Sequence, residues 1–321
     1  MPKITIIGLG LIGGSLGLAL RQSGAGLEVV GHDRDPEVGG RAKKRGAVDR
    51  TEWNLPQAVA DASLVVVATP PGAVATVFRN IAPYLQTGCV VTDTASTKAQ
   101  VLAWARELLP EGVSFVGGHP MAGKERSGID EAEAALFKGA TYCVLPAANA
   151  RDEAVSLVVG MVNAVGAQPL FIDPVEHDSF VAAVSHLPYL VAASLVNVAA
   201  ASPAWRDMGK VAATGFRDTT RVASGDTEMH RDICLTNREA ILRWLDAYVE
   251  ELGRFRTLLA SGDRDDLEAA LGKAKTARDE WLRAREGSPA GAPSREGIGR
   301  NDQLRQLLIG NWGMGREEKK R

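Results

Sequence analysis

The sequence is poor in cysteine and carries almost no net charge. Its three cysteines, Cys89, Cys143 and Cys234, lie far apart and form no Cys-x-x-Cys pair. This spacing gives no support to a metal site, and so few cysteines are typical of a reduced, cytoplasmic protein. The formal net charge of -2 at pH 7 gives no reason to expect nucleic acid or an anionic membrane as a partner.

The start of the sequence shows the pattern of neither a leader segment nor a membrane-spanning helix. The first residues lack a basic stretch, and glycines interrupt the apolar run that follows. We therefore expect neither a signal peptide nor a transmembrane helix there. The composition is otherwise ordinary for a globular protein, with 45% hydrophobic and 24% charged residues, and 321 residues are enough for two domains with separate cores.

The N-terminal stretch ITIIGLGLIGGSLGLAL, residues 4–20, joins a β-branched run to a glycine-rich turn and an apolar helix. This order predicts a dinucleotide-binding loop, with a glycine turn that holds no ligand as the alternative. Gly8 permits the turn, Gly10 lets the backbone approach a pyrophosphate, and Gly13 lets the helix pack on the strand. The phosphates are expected at the helix N-terminus. The predicted cofactor-binding residues here are Gly8, Gly10, Leu11, Ile12 and Gly13.

The second predicted strand, residues 27–33, bears on the choice of cofactor. It ends at Asp33, 20 residues after Gly13. An acid at this place accepts both ribose hydroxyls of NAD and repels the 2′-phosphate of NADP. Arg34 follows directly and can pair with that phosphate. We predict NAD, with NADP as the alternative.

Strands and helices alternate through the first half of the chain. Apolar strands are predicted at 63–68, 88–93 and near 113–116, and helices at 73–85 and 98–109. This alternation predicts a Rossmann-type, doubly wound α/β sheet, which we assign to residues 1–173. Ligands of such sheets bind beyond the carboxyl ends of the strands. The loops expected there are 8–13, 69–72 (with Thr69 and Pro70 as further cofactor-binding residues), 93–98 and 117–128.

The second half, residues 174–286, is predicted to be all-helical. Long helices are expected over 174–201, 230–259 and 263–286, with apolar faces broad enough to pack against another subunit. Residues 287–321 are expected to form a partly mobile extension, with a Pro/Gly/Ser linker over 287–299 and a short helix over 302–312.

Two polar residues follow predicted strands and point to chemistry. His119, in FVGGHPMAG, is expected in the crevice, where its imidazole can take a proton near neutral pH. The alternative is a loop histidine hydrogen-bonded to backbone. Ser96, in TDTASTK, is expected in the same crevice, or as the N-cap of the helix that begins near Lys98.

Two arginines suggest a carboxylate clamp. Arg217 and Arg221, in GFRDTTR, are four residues apart and so share a helix face. Guanidinium groups bind carboxylates through paired hydrogen bonds. A salt bridge to Asp218 or Asp226 is the alternative.

The remaining histidines give weaker signals. His177 and His186 are nine residues apart on one predicted helix, which places them about half a turn out of phase at ~100° per residue. They are not a metal pair, and no metal is predicted. We interpret His177 as a cap or a locally hydrogen-bonded residue. The local sequence does not determine roles for Tyr189 and His230.

The motifs GLGLIGGSLGLAL, TDTASTK, GGHPMAGKERSG, SHLPYL and GFRDTTRVASGD occur in the order found in prephenate/arogenate dehydrogenases, and the resemblance spans about residues 3–285. It implies an NAD(P)-binding Rossmann-type domain and a helical domain that forms a homodimer. It also implies oxidative decarboxylation of prephenate to 4-hydroxyphenylpyruvate in cytoplasmic tyrosine biosynthesis. Arogenate, which would give tyrosine, is the close alternative, and inhibition by tyrosine is left open.

The resemblance also assigns roles to residues. His119 matches the histidine that accepts the proton of the ring hydroxyl, Ser96 the serine that places this hydroxyl and the nicotinamide, and Arg221 the arginine that binds the ring carboxylate. His186, Tyr189 and Arg217 are further substrate-binding candidates. Some relatives have histidine at position 189 and tryptophan at position 230, which leaves the choice between a pyruvyl and an alanyl side chain open.

Two other functions compete with this one. A β-hydroxyacid dehydrogenase shares the two-domain plan but generally uses a lysine on a helix. A redox-sensing NAD-binding regulator would show no turnover, so the substitution His119→Asn would leave its output intact.

Overall fold

The computed structural model describes residues 2–287. A sheet domain comes first and a run of helices follows, so the predicted fold class is confirmed. The extension predicted for 287–321, with its helix over 302–312, lies outside the described residues except for Gly287, which ends the last helix.

Eight strands form one sheet in the order β3-β2-β1-β4-β5-β6-β7-β8. All neighbouring strands are parallel except β6 and β7. The chain adds β2 and β3 on one side of β1 and then crosses to add β4 on the other side. In sheets with such a reversal, ligands bind in a crevice at the carboxyl ends of the strands beside it. The strands are β1 (Lys3–Ile7), β2 (Glu28–His32), β3 (Arg50–Thr51), β4 (Leu64–Val67), β5 (Val90–Asp93), β6 (Ser114–Pro120), β7 (Thr141–Pro146) and β8 (Gln168–Phe171).

Helices cover both faces of the sheet, and this explains why its central strands are continuous apolar runs. All five residues of β1 and all four of β4 are buried. One core cluster includes Leu16 and Leu157, and the other includes Phe78 and Val101. The helices of this domain are α1 (Leu11–Gln22), α2 (Pro36–Lys44), α3 (Leu55–Val59), α4 (Val74–Ile81), α5 (Ala99–Leu108) and α6 (Asp152–Ala164).

Two predicted boundaries in this domain are wrong. The helix predicted over 73–85 is α4 alone, and it passes into a 3₁₀ turn that contains Pro83, a residue without a backbone N–H. The strand expected near 113–116 continues to Pro120 because it pairs with β7 from Val116 onward. His119 therefore lies inside β6 and not in the loop that follows it.

The described residues after the sheet are almost entirely helical. The helix predicted over 174–201 contains a π-helical turn at Ala182–His186. The helix predicted over 230–259 is wrong, because the chain breaks at Asn237, whose side chain hydrogen-bonds other segments. The helices are α7 (Pro174–Val181), α8 (Leu187–Ala200), α9 (Trp205–Val211), α10 (Thr214–Thr220), α11 (Thr227–Thr236), α12 (Arg238–Ser261) and α13 (Arg264–Gly287).

The helical part has little buried core of its own. Its cluster of buried apolar residues comprises Ala182, Ala240 and Ile241, while Val198 is 75% exposed and Leu252 is 51% exposed. By length and composition alone, the stretch Pro174–Ala200 is apolar enough to cross a membrane. An 18-residue segment of it has a mean hydropathy of 1.6, and 22% of that segment is buried in the protein. This apolar surface needs a covering partner.

Candidate active site

The loop between β1 and α1 has the geometry of a pyrophosphate-binding turn. Gly8 has a φ of 92°, and a Cβ at Gly13 would lie 1.9 Å from the Gly8 carbonyl oxygen. A Cβ at Gly10 would project into open space. No side chain among the described residues caps α1, which leaves its first N–H groups available to bind a phosphate. These residues fit a dinucleotide.

Asp33 is positioned by the glycine loop itself. One of its carboxylate oxygens accepts a hydrogen bond from the Leu9 N–H at 2.7 Å, and the other accepts from the Asp35 N–H at 2.9 Å. Arg34, beside it, is exposed. The carboxylate is therefore held at the carboxyl end of β2, next to the turn that would hold the pyrophosphate.

The turn after β4 forms the other side of this crevice. Thr69 has a buried hydroxyl without a hydrogen-bond partner among the described residues, and Pro70 directly precedes a 3₁₀ turn. The Gly72 N–H donates to the Asp232 carboxylate of α11 at 3.1 Å. The helical domain thus contacts the predicted cofactor loop directly.

His119 lies in a buried chain of polar groups that crosses between the domains. Its Nδ1 is 2.9 Å from Nε2 of His177, and Nδ1 of His177 is 2.8 Å from Oδ1 of Asp178. Burial, as the main cause, holds the pKa of His119 well below its usual range, and the electrostatic interaction with the neighbouring His177 ring acts in the same direction. The local hydrogen bond expected for His177 is confirmed at Asp178, and the other nitrogen of the ring also reaches His119.

Asp178 also replaces the cap predicted for α5. Its carboxylate accepts hydrogen bonds from the N–H groups of Lys98 at 2.7 Å and Ala99 at 2.9 Å. Ser96 makes no capping hydrogen bond, so that prediction is wrong. Ser96 lies half-buried beyond the end of β5, and its neighbour Thr97 bonds Thr236 of α11 at 2.9 Å.

A buried ion pair fixes β5 against β6 just before His119. The Lys98 ammonium pairs with Asp93 and donates to the Gly118 carbonyl at 2.8 Å, while the Asp93 carboxylate accepts from the Gly118 N–H at 3.1 Å. Burial lowers the pKa of Lys98, and the Asp93 charge opposes this shift. Sequence reasoning missed both residues, although two opposite charges at the end of an apolar strand were a signal.

His186 belongs to the same cluster. It is 3% exposed, its Nδ1 lies 3.2 Å from the Asn237 amide nitrogen, and its Nε2 has no partner among the described residues. Burial lowers its pKa to about 4, and the Asp178 charge opposes this shift. A π-helical turn holds roughly one residue more than an α-helical turn, which shifts the residues after it by about 100° around the helix axis. His177 and His186 are therefore not half a turn out of phase, and electrostatic interactions with both rings lower the pKa of His119.

Tyr189 lies one turn beyond His186 and stacks on His230. Their ring centroids are 3.5 Å apart and their planes differ by 11°. The charge of His230 contributes to the lowered pKa of His186, so this aromatic pair adjoins the imidazole cluster.

The two arginines line an open cavity of about 640 Å³ between the loop after β6 and the region of α10. Arg217 pairs with Asp218 at 2.9 Å, which is the alternative that the sequence left open, and Arg221 pairs with Glu125, six residues after His119. Arg221 does not share a regular helix with Arg217, because a 3₁₀ turn begins there. Four cationic and two anionic side chains line this cavity: Lys124, Arg126, Arg217, Arg221, Glu125 and Glu131.

The predicted site residues thus fall into three neighbouring groups. The glycine loop, Asp33, and Thr69 with Pro70 follow the carboxyl ends of β1, β2 and β4, His119 and His186 lie in the buried cluster, and Arg217 and Arg221 line the cavity near α10. Within residues 2–287, no three His, Cys, Asp or Glu side chains are grouped to hold a metal ion.

Comparisons with known proteins identify the family and agree with the division into a nucleotide-binding sheet domain and a helical domain. The family model for the prephenate dehydrogenase nucleotide-binding domain matches residues 16–170, and that for the prephenate dehydrogenase dimerization domain matches residues 173–273. The chain is 35% identical over 278 residues to prephenate dehydrogenase of Bacillus subtilis, which covers 86% of this chain and 75% of that protein.

Two solved structures are similar over the same region. Prephenate dehydrogenase of Aquifex aeolicus, in complex with hydroxyphenyl propionate and NAD+, has a TM-score of 0.82 at 28% identity, covering 87% of this chain and 98% of that one. Arogenate dehydrogenase of Synechocystis has a TM-score of 0.74 at 31% identity, covering 87% and 99%.

Proposed function

The chain belongs to the prephenate dehydrogenase family, and we propose that it catalyses the NAD-dependent oxidative decarboxylation of prephenate to 4-hydroxyphenylpyruvate. The observation that carries this proposal is the buried imidazole of His119 on β6, in the sheet that also carries the dinucleotide loop. Glu125, six residues further on, pairs with Arg221 in the cavity. Prephenate presents a ring hydroxyl to be oxidised and two carboxylates, which match a base and a cavity lined by arginines. We also propose that the domain boundary lies between residues 173 and 174.

His119 takes the proton of the ring hydroxyl in this proposal. Its lowered pKa keeps the imidazole uncharged at neutral pH, which a general base requires. Ser96 and His186 orient the same hydroxyl, and the partnerless Nε2 of His186 is available for this contact. When bound, NAD accepts the hydride from the carbon that carries the hydroxyl. Loss of the ring carboxylate as carbon dioxide makes the ring aromatic, so the protein mainly aligns the groups and removes one proton.

Arg221 binds the ring carboxylate and in doing so exchanges Glu125 for the substrate. Arg217 and the Tyr189–His230 pair lie beside the position of the side chain. Each of the four cations that line the cavity is paired with a carboxylate, as Lys124 is with Glu133 and Arg217 with Asp218. The carboxylates of the substrate would therefore take the place of such partners.

NAD is the proposed cofactor in preference to NADP. Asp33 is already oriented by two backbone N–H groups, so its carboxylate needs little reorganisation to accept ribose hydroxyls. A 2′-phosphate in the same place would meet this negative charge. Titration of the protein with each cofactor tests the preference, and equal dissociation constants would contradict it.

A cytoplasmic homodimer is the proposed assembly. The exposed apolar surface of α8 and α12 includes Val198, Val249 and Leu252, and a second copy of the same surface would cover it. Sedimentation of the purified protein should give twice the chain mass, whereas a monomer would contradict the proposal. Tyrosine, with its phenol hydroxyl, is a candidate inhibitor that would compete for the same imidazole cluster.

The deciding experiment is NADH formation by the purified protein with prephenate and arogenate offered separately. We expect turnover with prephenate. Arogenate is the second candidate, because the Synechocystis arogenate dehydrogenase is structurally similar and because Tyr189 stands beside the expected side-chain position. NADH formation with neither substrate would refute the proposal and favour a regulator without turnover.

A further inference from the structure

We propose that His177 is a positioning residue that fixes the proton of His119 on Nδ1 and so leaves Nε2 as the basic atom. The inference rests on the proposed function, in which His119 is the general base. It explains why two histidines and a carboxylate from different domains form one buried line. His177 touches neither of the groups that react and acts only through His119.

The direction of each hydrogen bond follows from the end of the line. The Asp178 carboxylate can only accept, so the proton between it and His177 belongs to Nδ1 of His177, at 2.8 Å. An uncharged imidazole has only one N–H, which leaves Nε2 of His177 as an acceptor. His119 must then donate from its Nδ1, at 2.9 Å. The remaining nitrogen of His119, Nε2, carries the lone pair that a general base needs.

Asp178, at the end of this chain of hydrogen bonds, is itself held rigidly. Besides His177, the Asp178 carboxylate accepts from the backbone N–H groups at the start of α5, and the Asp178 carbonyl accepts from the Asn237 amide at 2.7 Å. His177 is 1% exposed and His119 is 8% exposed. Neither ring can turn to exchange its nitrogens without leaving a buried polar atom unpaired, which is unfavourable.

The line also couples the base to the second domain. His119 is on β6, whereas His177 and Asp178 are on α7. The sheet domain therefore carries the base, and the helical domain sets its protonated nitrogen. The other charged or titratable groups that act on His119 are Lys98 and His186, and neither is hydrogen-bonded to its ring.

The protonated nitrogen can be observed without any turnover. Long-range proton–nitrogen correlation spectra of protein labelled with ¹⁵N in its five histidines separate the two tautomers, and the His119→Asn protein assigns the His119 signals. We expect the His119 proton on Nδ1 at neutral pH in the free protein. A proton on Nε2 of His119, or two protons on His177, would overturn the proposal even if every variant failed to fold.

Kinetics of two substitutions at one position supply the second test. In His177→Leu the His119 Nδ1 loses its acceptor, and we expect kcat to fall about 10- to 100-fold. Losses of this size are typical when a hydrogen-bond partner that orients a metal-ligating histidine is removed in other enzymes. NAD affinity should not change. His177→Gln restores an acceptor and should recover most of kcat together with the Nδ1–H spectrum.

The control is Val181→Ala, because Val181 is buried one turn further along α7 and has no part in the line. It should lower stability but keep kcat and the His119 tautomer. If His177→Leu behaves like this control, or if His177→Gln is as impaired as His177→Leu, the positioning role is refuted. A wild-type protein that forms no NADH would instead refute the proposed function.

Discussion

Lowering the pH should destabilise this protein steeply, because the pKa values of His119 and His186 are lowered when the chain folds. The pKa of His186 falls from 6.5 to about 4 in the folded chain, and the pKa of His119 falls in the same direction. An unfolded histidine binds its proton below pH 6.5, whereas the folded one does not. The stabilisation is therefore complete above pH 6.5 and is lost as the pH falls towards 4.

The size of the effect follows from the shift of His186. A difference of about 2.5 pKa units at about 1.36 kcal/mol per unit gives a loss of about 3 kcal/mol from this one residue. The slope of the free energy of unfolding reaches about 1.4 kcal/mol per pH unit for each such histidine. That loss is a large share of the total stability of a typical domain.

Denaturant unfolding at several pH values between neutral and 4 measures this loss, at one protein concentration because dimer stability depends on it. The variant His186→Gln should be less stable at neutral pH and should lose less stability on acidification. The slope of its free energy of unfolding against pH should be smaller by up to about 1.4 kcal/mol per pH unit. His32→Gln, on β2 outside the cluster, should keep the wild-type loss. An identical pH dependence in His186→Gln and the wild type would refute the reasoning.

Three further substitutions test the other groups of the site. Arg221→Ala should raise the KM for prephenate roughly 30- to 1,000-fold, equivalent to about 2–4 kcal/mol for a charge-assisted carboxylate contact, and an unchanged KM would remove Arg221 from the site. Gly13→Ala should abolish NAD binding measured by calorimetry, because its Cβ would lie 1.9 Å from the Gly8 carbonyl oxygen, and retained affinity would contradict the close packing. Asp33→Ser should weaken NAD binding and improve NADP binding, so that the ratio of the two dissociation constants moves towards one; an unchanged ratio would refute the role of this carboxylate.

The parts of the fold that the sequence predicted are those that neighbouring residues determine. The strand and the helix around the glycine loop follow from a β-branched run, five glycines and a leucine-rich stretch within 20 residues. The extension of β6 through His119 depends on pairing with β7, more than 20 residues away. No local pattern reports such a pairing, so the loop position expected for His119 was wrong.

The polar line of the site escaped prediction for a similar reason. His119 and His177 are 58 residues apart in the chain, and the π-helical turn and the break at Asn237 both depend on contacts between segments. Helical periodicity assumes an unbroken α-helix, so it placed His177 and His186 on opposite sides. Motif resemblance, in contrast, pointed to His119, Ser96 and Arg221 without any knowledge of these contacts.

The most direct test of the account compares kcat for wild type and His119→Asn with prephenate and NAD, alongside the dissociation constant for NAD. Removal of the base should lower kcat by about 100- to 10,000-fold, while NAD binds both proteins equally well because the dinucleotide loop is untouched. A His119→Asn protein that turns over prephenate at close to the wild-type rate would contradict the claim that this imidazole takes the hydroxyl proton.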